Sequence, residues 1–121
     1  MKNIIDTLLQ RTSIRRYEMQ PIEPEKLSLI YQAINNAPSS YNGQQYSVIA
    51  IDNQPLKEQI YALTGQKQIK TCALFLVFCS DYHKIEVATR QKELSLPPFQ
   101  RTLDGILVGV IDATIAMSNA R

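Results

Sequence analysis

The chain has 121 residues, 45% of them hydrophobic, which allows one domain with a core and is too short for two domains of ordinary size. Its 13 basic and 11 acidic residues leave a net charge of +2 and form no basic run, which argues against a dedicated nucleic-acid-binding protein. The apolar stretches are too short or too interrupted to span a bilayer. Asp6 interrupts the apolar N-terminus, so we expect no signal peptide.

The two cysteines, Cys72 and Cys79, both lie in an apolar run. Their spacing fits neither a zinc knuckle nor a redox pair. We therefore expect two reduced, buried thiols and place the protein in the cytoplasm, where disulfides are rare.

The first half of the chain predicts two helices followed by a strand. A short helix over 3–11 has Asn3 as its N-cap and apolar residues on one face. A stronger helix begins near Pro24, which suits the first helical position, and ends before Pro38. Tyr46–Ile51 is rich in β-branched and aromatic residues and predicts a strand.

The second half predicts a helix, a buried strand and a loop. The helix runs over 56–63, with Gly65 just after its end. Residues 73–79 form a continuous apolar run, which is typical of a strand covered on both faces. Residues 80–100 are polar and contain Pro97 and Pro98, so we predict a loop or excursion there.

The last predicted helix, from Thr102 to the end of the chain, is apolar around nearly its whole circumference. Such a helix requires burial on all sides, and two short strands leave little to bury it with. This mismatch indicates either a partner chain or missing sequence. Gly105 and Gly109 begin a band of small residues that would let a second helix approach closely. The pattern predicts a homodimer built on this helix. The alternative is a monomer in which residues 81–100 cover it.

A basic cluster lies at residues 11–15. Arg11, Ser13 and Arg15 share one face if the segment is extended, and the two arginines still meet if it is helical. Two guanidinium groups and a hydroxyl suit a phosphate, because guanidinium offers paired, charge-assisted hydrogen bonds. The alternative is an exposed basic stretch without a ligand.

Two further stretches carry polar side chains at the ends of predicted elements. Residues 37–45 (APSSYNGQQ) join a helix to a strand, and their hydroxyls and amides could bind the edge of a heteroaromatic ring. The alternative is an ordinary turn. Residues 64–69 (TGQKQI) place Gln66 and Gln68 before the apolar run, a weaker signal that a helix end followed by a loop also explains.

Other catalytic patterns are absent from the sequence. It contains neither of the familiar glycine-rich phosphate loops. The single histidine, His83, has no cluster of cysteines or carboxylates beside it, so we expect no metal site and no serine–histidine pair.

Several stretches, taken in order, resemble the nitroreductase family of flavin enzymes. They are RTSIRRY at 11–17 with PI at 21–22, APSSYNGQQYSVI at 37–49, GQKQI followed by ALFLVFCSD at 73–81, and DATIAMSNA at 112–120. The FCSD and TGQ segments are most similar to NADPH-dependent flavin reductases and oxygen-insensitive nitroreductases. The resemblance implies an FMN enzyme that takes hydride from NADPH or NADH and passes electrons to nitroaromatics, quinones or flavins.

The resemblance also implies site residues. The residues at the family's positions for the FMN phosphate and ribityl chain are Arg11, Thr12, Ser13 and Arg15. The residues that would approach the flavin from the other subunit are Ser39, Ser40 and Asn42. Gln66 lies where the reductase branch contacts the flavin. Because the flavin carries out the redox chemistry, no catalytic side chain is expected.

We therefore expect an α+β fold. The expected fold is a truncated nitroreductase-like domain over 1–121, with a small sheet packed with helices and a long buried C-terminal helix. Family chains continue past their central helix, so this chain is expected to be a fragment or a short relative. Two alternatives stay open: a non-catalytic dimerising remnant with weak or no flavin binding, and a module that binds phosphorylated ligands.

Overall fold

A computed structural model describes residues 3–94 and 102–120. Helices surround one small sheet. In chain order the helices are α1 (Ile4–Leu9), α2 (Pro24–Asn35), α3 (Gln54–Thr64), α4 (Lys67–Thr71), α5 (His83–Gln91) and α6 (Leu103–Asn119). The strands are β1 (Tyr46–Ile51) and β2 (Phe75–Ser80), and a single 3-10 turn, Ser40–Asn42, precedes β1.

The two strands form an antiparallel sheet that positions the long helix. β1 and β2 pair along their whole length, from Tyr46 opposite Ser80 to Ile51 opposite Phe75. Helix α6 packs across both strands, and α2 packs beside α6. The core between them consists of buried Ile34, Tyr46, Ala113 and Ala116, with Ile30, Ala37, Val48, Leu76, Phe78 and Ala120 packed against them. Its strand residues all have even numbers, because side chains alternate between the faces of a sheet.

Elements with a local sequence signal have their predicted bounds or nearly so. The Asn3 side chain caps α1 by accepting a hydrogen bond from the Ile5 N–H. Pro24 is the first residue of α2. Gly65 ends α3 with a φ of 70°, a left-handed conformation that glycine adopts without steric cost. The strand predicted at Tyr46–Ile51 is β1.

Two segments predicted as loops contain helices. Residues 83–91 form α5, since this stretch holds no glycine or proline to interrupt a helix. Pro97 and Pro98, which favoured the loop prediction, lie outside the described residues. Residues 67–71 form α4, a short helix whose C-terminal carbonyls accept hydrogen bonds from side chains of α3. Those contacts come from tertiary structure and leave no mark in the local sequence.

The prediction that residues 73–79 are covered on both faces is wrong. Every residue of β2 from Phe75 to Cys79 is half-buried, and Ser80 is exposed. The sheet has only two strands among the described residues, and α6 covers one of its faces. The other face is covered incompletely.

Helix α6 is buried on one face only, which corrects the prediction of a long buried helix. Its buried residues are Gly105, Gly109, Asp112, Ala113 and Ala116. Gly109 lies against Ser80 of β2 and against Tyr82, so this part of the band of small residues packs within the chain. A Cβ atom at Gly109 would lie 3.1 Å from the Tyr82 ring and would collide with the Ser80 side chain. Tyr82, itself buried, donates its hydroxyl proton to the Gly105 carbonyl.

The opposite face of α6, here called the outer face, exposes large apolar side chains: Leu103, Ile106, Leu107, Val110, Ile111 and Met117. The described part of the predicted 81–100 cover, residues 81–94, leaves them exposed. Among the described residues, no helix is both long and apolar enough to cross a membrane.

The two cysteines are both free but differ in burial. Cys72 is buried, as predicted, and its thiol donates to the Ile69 carbonyl. Cys79 lies on β2 and is only half-buried, so the prediction of two buried thiols is wrong for Cys79. The cause is the incomplete cover of the sheet.

We expect Cys79 to react with a thiol reagent faster than Cys72 in the native chain. Burial raises the pKa of Cys72, and the nearby Lys57 ammonium offsets this only in part. Because the thiolate is the reactive form, a raised pKa and burial both slow labelling. The Cys72→Ser variant reports the labelling rate of Cys79 alone, and the Cys79→Ser variant reports that of Cys72 alone. Equally rapid labelling of both would contradict the burial described for Cys72.

Candidate functional site

The basic cluster lies in a segment between α1 and α2 that forms neither helix nor strand. The helical alternative for residues 11–15 is therefore excluded. All four predicted residues of the segment are exposed: Arg11, Thr12, Ser13 and Arg15. Among the described residues, neither arginine has an ion-pair partner, and the ion pair nearest in sequence joins Lys26 to Glu23. The donors of both guanidinium groups are thus available to an anionic ligand.

The polar loop at residues 39–44 has a strained backbone. Tyr41, Asn42 and Gln44 have φ values of 55°, 52° and 50°, although none is glycine. Residues with side chains rarely adopt this left-handed region, at a cost of roughly 1–2 kcal/mol each. Such a conformation persists only where surrounding contacts hold it. The loop is therefore more than the ordinary turn that the sequence left open.

Contacts inside the loop hold part of this conformation. The Ser39 hydroxyl oxygen accepts a hydrogen bond from the Gln44 N–H at 3.1 Å. The Gln45 side-chain Nε2 donates to the Ser40 carbonyl at 3.4 Å. The Asn42 N–H donates to the Ser39 carbonyl at 3.1 Å and closes the 3-10 turn.

The loop is also tied to α6 by Asp112, a residue that sequence reasoning missed. Asp112 is 1% exposed. The Ser40 N–H donates to both of its carboxylate oxygens, at 3.1 and 3.0 Å, and the Ser40 hydroxyl donates to Oδ1 at 3.0 Å. A signal was present, since an acidic residue within an apolar helix is rarely buried unless it is paired.

Tyr82 lies on the same side of α6 as Asp112. Burial raises the pKa of the Tyr82 hydroxyl, a hydrogen bond from the Gly109 backbone lowers it in part, and the Asp112 charge raises it further. The Tyr82 hydroxyl therefore keeps its proton, which it directs to the Gly105 carbonyl.

Gln66, the predicted flavin contact outside the loop, lies at the N-cap position of α4, makes no side-chain capping hydrogen bond and is exposed. Its side-chain oxygen Oε1 accepts a hydrogen bond from Gln68 Nε2 at 2.6 Å. This bond engages the Gln66 acceptor and leaves its amide N–H groups to face solvent or a ligand.

Helix α3 fixes the opposite end of α4. Gln54 Nε2 donates to the Lys70 carbonyl at 3.0 Å, and the buried Lys57 Nζ donates to the Cys72 carbonyl at 2.7 Å. These carbonyls lie at the C-terminal end of α4, where partners are missing within the helix and a cation is favoured. The two contacts keep a very short helix in place.

A groove of about 390 Å³ separates the end of the basic segment from α4. Its walls include Tyr17 and Glu18 on one side and Gln68, Ile69 and Cys72 on the other. The structure thus places Tyr17 and Glu18, which follow the basic cluster, beside α4, whereas Arg11 and Arg15 are not among the lining residues of this groove.

The predicted site residues fall into separate groups within one chain. Ser39, Ser40 and Asn42 share the loop beside α6. No hydrogen bond or ion pair within residues 3–94 and 102–120 joins that loop to Arg11 or Arg15. His83 is exposed, and the described residues contain no cluster that could hold a metal ion.

Comparison with known proteins places this arrangement in a family. The model of the "Nitroreductase family" matches residues 8–119, which include the basic segment, the loop, α4 and all of α6. The chain belongs to the nitroreductase family. The resemblance of the sequence motifs is thereby confirmed.

Curated nitroreductase-like relatives extend further than this chain. It is 36% identical over 121 residues to "FMN reductase [NAD(P)H]" of Bacillus subtilis, aligning 99% of this chain with 49% of that protein. An "NADPH-dependent oxidoreductase" of Staphylococcus saprophyticus is 26% identical over 118 residues, which are 98% of this chain and 47% of that protein. The chain spans about half the length of the curated relatives it matches.

Solved structures confirm the predicted nitroreductase-like fold. NfrA2 of B. megaterium superposes with a TM-score of 0.92 at 33% identity, over 99% of this chain and 49% of that one. The NADPH:FMN oxidoreductase from Vibrio harveyi, complexed with NAD⁺, gives a TM-score of 0.82 at 28% identity, over 96% of this chain and 48% of that one. The sheet and helices of this chain are thus matched within about half of each of these two structures.

Proposed function

We propose that the chain acts as an FMN-dependent oxidoreductase that transfers electrons from NADPH or NADH to nitroaromatics, quinones or flavins. The observation that carries the proposal is the nitroreductase-family match over residues 8–119. The printed names of two relatives, FMN reductase [NAD(P)H] and NADPH:FMN oxidoreductase, support the same cofactor and electron donor.

The exposed donors of the basic segment fit the phosphate end of FMN. In the proposal, Arg11 and Arg15 bind the phosphate, and Thr12 and Ser13 bind the phosphate or ribityl chain with their hydroxyls. The support is chemical, since two guanidinium groups without an ion-pair partner among the described residues match a dianionic phosphate.

The amides and hydroxyls fit the ring end of FMN. Gln66 offers its N–H groups, and Ser39 and Asn42 offer groups that both donate and accept. Bound flavin supplies the acceptance and donation of hydride, and the protein binds and orients it. This division of labour explains why the proposal needs no catalytic side chain.

The proposed assembly is a homodimer in which Ser39, Ser40 and Asn42 of one protomer approach the flavin held by Arg11 and Arg15 of its partner. The apolar outer face of α6 supports association, because monomers rarely expose so large an apolar patch. The proposed location is the cytoplasm, in line with two free thiols. Residues 1–121 form one partial nitroreductase-like domain in this proposal.

Flavin binding is the first test of this function. The purified chain is incubated with FMN, freed of excess ligand and examined for flavin absorption, and flavin is then released and quantified. We expect retained FMN, and oxidation of NADPH or NADH that depends on an added nitroaromatic, quinone or flavin.

Two outcomes would favour the alternatives. A colourless chain that does not bind added FMN favours a non-catalytic dimerising remnant. Equal binding of FMN and of simple phosphorylated ligands favours a module that recognises phosphate alone.

A further inference from the structure

We infer that Asp112 is a positioning residue whose buried carboxylate holds the loop at residues 39–44 in the conformation that presents Ser39 and Asn42 to the flavin. The presentation step rests on the proposed function. The anchoring step concerns only contacts within this chain.

The contact between Asp112 and the loop is long-range and joins a buried carboxylate to a half-buried serine. Asp112 is 1% exposed, and it lies 72 residues from Ser40 in the sequence. Both oxygens of its carboxylate accept from the Ser40 N–H, and Oδ1 also accepts from the Ser40 hydroxyl. Among the described residues, all hydrogen bonds to this carboxylate come from Ser40.

Because the Asp112 carboxylate is buried, the packing of α6 depends on Ser40, and the position of Ser40 depends on α6. A charge removed from water requires hydrogen-bonding partners, so α6 cannot place Asp112 in the core unless Ser40 is also in place. Conversely, hydrogen bonds to an ionised acceptor are roughly twice as strong as neutral ones. The position of Ser40 is therefore coupled to the packing of α6.

The loop needs such an anchor because its own conformation is unfavourable. Tyr41, Asn42 and Gln44 are all left-handed. Gln45 is 4% exposed, and its Oε1 has no hydrogen-bond partner among the described residues. A strained backbone and an unsatisfied buried acceptor persist only where other contacts hold them. The bonds to Asp112 meet the loop immediately before its strained residues.

The same geometry divides roles between the two serines. The single hydroxyl proton of Ser40 is directed to Asp112. The Ser39 oxygen accepts from Gln44, and the Ser39 proton has no acceptor among the described residues. In this inference Ser40 acts through the anchor, while Ser39 and Asn42 offer the groups that face the ligand.

Asp112 also connects the loop to the helix proposed as the dimer interface. It lies on the inner side of α6, next in sequence to Ile111 of the outer face. A loop anchored to α6 has a defined position relative to a partner that packs on α6. That is the geometry required for a loop that reaches the flavin of the partner.

The test compares Asp112→Asn with Asp104→Asn in the full chain. Asp104 is an exposed carboxylate on the same helix, so its amide variant controls for the loss of one charge. The first measurement is hydrogen exchange at the Ser40 amide without flavin. The second is the Kd for FMN and for riboflavin, read from the visible spectrum of the flavin.

We expect Asp112→Asn to speed exchange at Ser40 and to raise both Kd values by about tenfold, the scale of one hydrogen bond to a charged group. The affinities for FMN and for riboflavin should fall by the same factor, because the proposal assigns the phosphate to Arg11 and Arg15 and not to the loop. Asp104→Asn should match the wild type. Unchanged exchange in a folded Asp112→Asn chain would overturn the anchor.

Two further outcomes separate this inference from the proposed function. Faster exchange with unchanged Kd values would overturn the presentation of the loop to the flavin. A wild-type chain that binds no flavin would reject both the proposed function and the presentation of the loop to the flavin. Hydrogen exchange at the Ser40 amide would still test whether Asp112 anchors the loop. If Asp112→Asn does not fold, Ser40→Ala replaces it, with Ser40→Thr expected to restore wild-type values. Wild-type exchange and affinity in Ser40→Ala would then overturn the inference.

Discussion

Replacing Ile111 with aspartate is expected to convert a dimeric chain into a monomer or an aggregate. Ile111 lies on the outer face of α6 and is 51% exposed, so the change leaves the core of the protomer intact. In a two-fold dimer each copy brings the new charge into the contact, at a cost of about 3 kcal/mol or more. Association should weaken by at least about a hundredfold. Sedimentation velocity over a range of concentrations measures this change.

A matched control separates the interface from a general effect of charge. Leu63→Asp makes the same kind of change at an 87% exposed position on α3 and should leave the sedimentation coefficient unaltered. Val108→Asp, at a half-buried position of α6, should act in the same direction as Ile111→Asp. A wild-type chain that sediments as a compact, soluble monomer at high concentration would overturn the dimer proposal.

Replacing Arg15 with alanine should weaken FMN binding by about 1.5–3 kcal/mol, the usual contribution of a hydrogen bond to a charged group. This corresponds to roughly a tenfold to hundredfold rise in Kd. Riboflavin lacks the phosphate, so its affinity should barely change. Titration of the wild type and the variant with both flavins measures the difference.

Arg16 supplies the control for this experiment. It is exposed, carries the same charge and is the next residue in the chain. If the segment is extended, its side chain points away from the face of Arg15. Arg16→Ala should therefore leave FMN affinity close to the wild type. Equal losses of FMN and riboflavin on Arg15→Ala would contradict a phosphate contact.

Local chemistry explains which elements could be predicted. Pro24 and Gly65 act through their own backbone preferences, so they mark the start of α2 and the end of α3 wherever the helices pack. Helix α4 could not be foreseen in this way. Its end is held by Gln54 and by Lys57, which belong to another helix.

The candidate site likewise has a part that could be predicted from local residue chemistry and a part that depends on contacts distant in sequence. The basic segment and the loop carry residue types whose chemistry suggests a phosphorylated heteroaromatic ligand, and the family motifs lie in the same stretches. Asp112 was passed over because its partner Ser40 is 72 residues away. A pattern read along the chain shows an acidic residue in an apolar helix, but it does not show which backbone N–H comes to meet it.

The sequence by itself determined the family, most element bounds and the need of α6 for burial, because these depend on residue type and spacing. Only the tertiary structure decided which face of α6 is buried. Gly109 lies against Tyr82 and Ser80 of β2, where a larger side chain does not fit, and the buried Gly105 accepts a hydrogen bond from Tyr82. The larger apolar side chains are therefore left on the outer face. Helical periodicity alone could not assign these faces, because α6 is apolar on both.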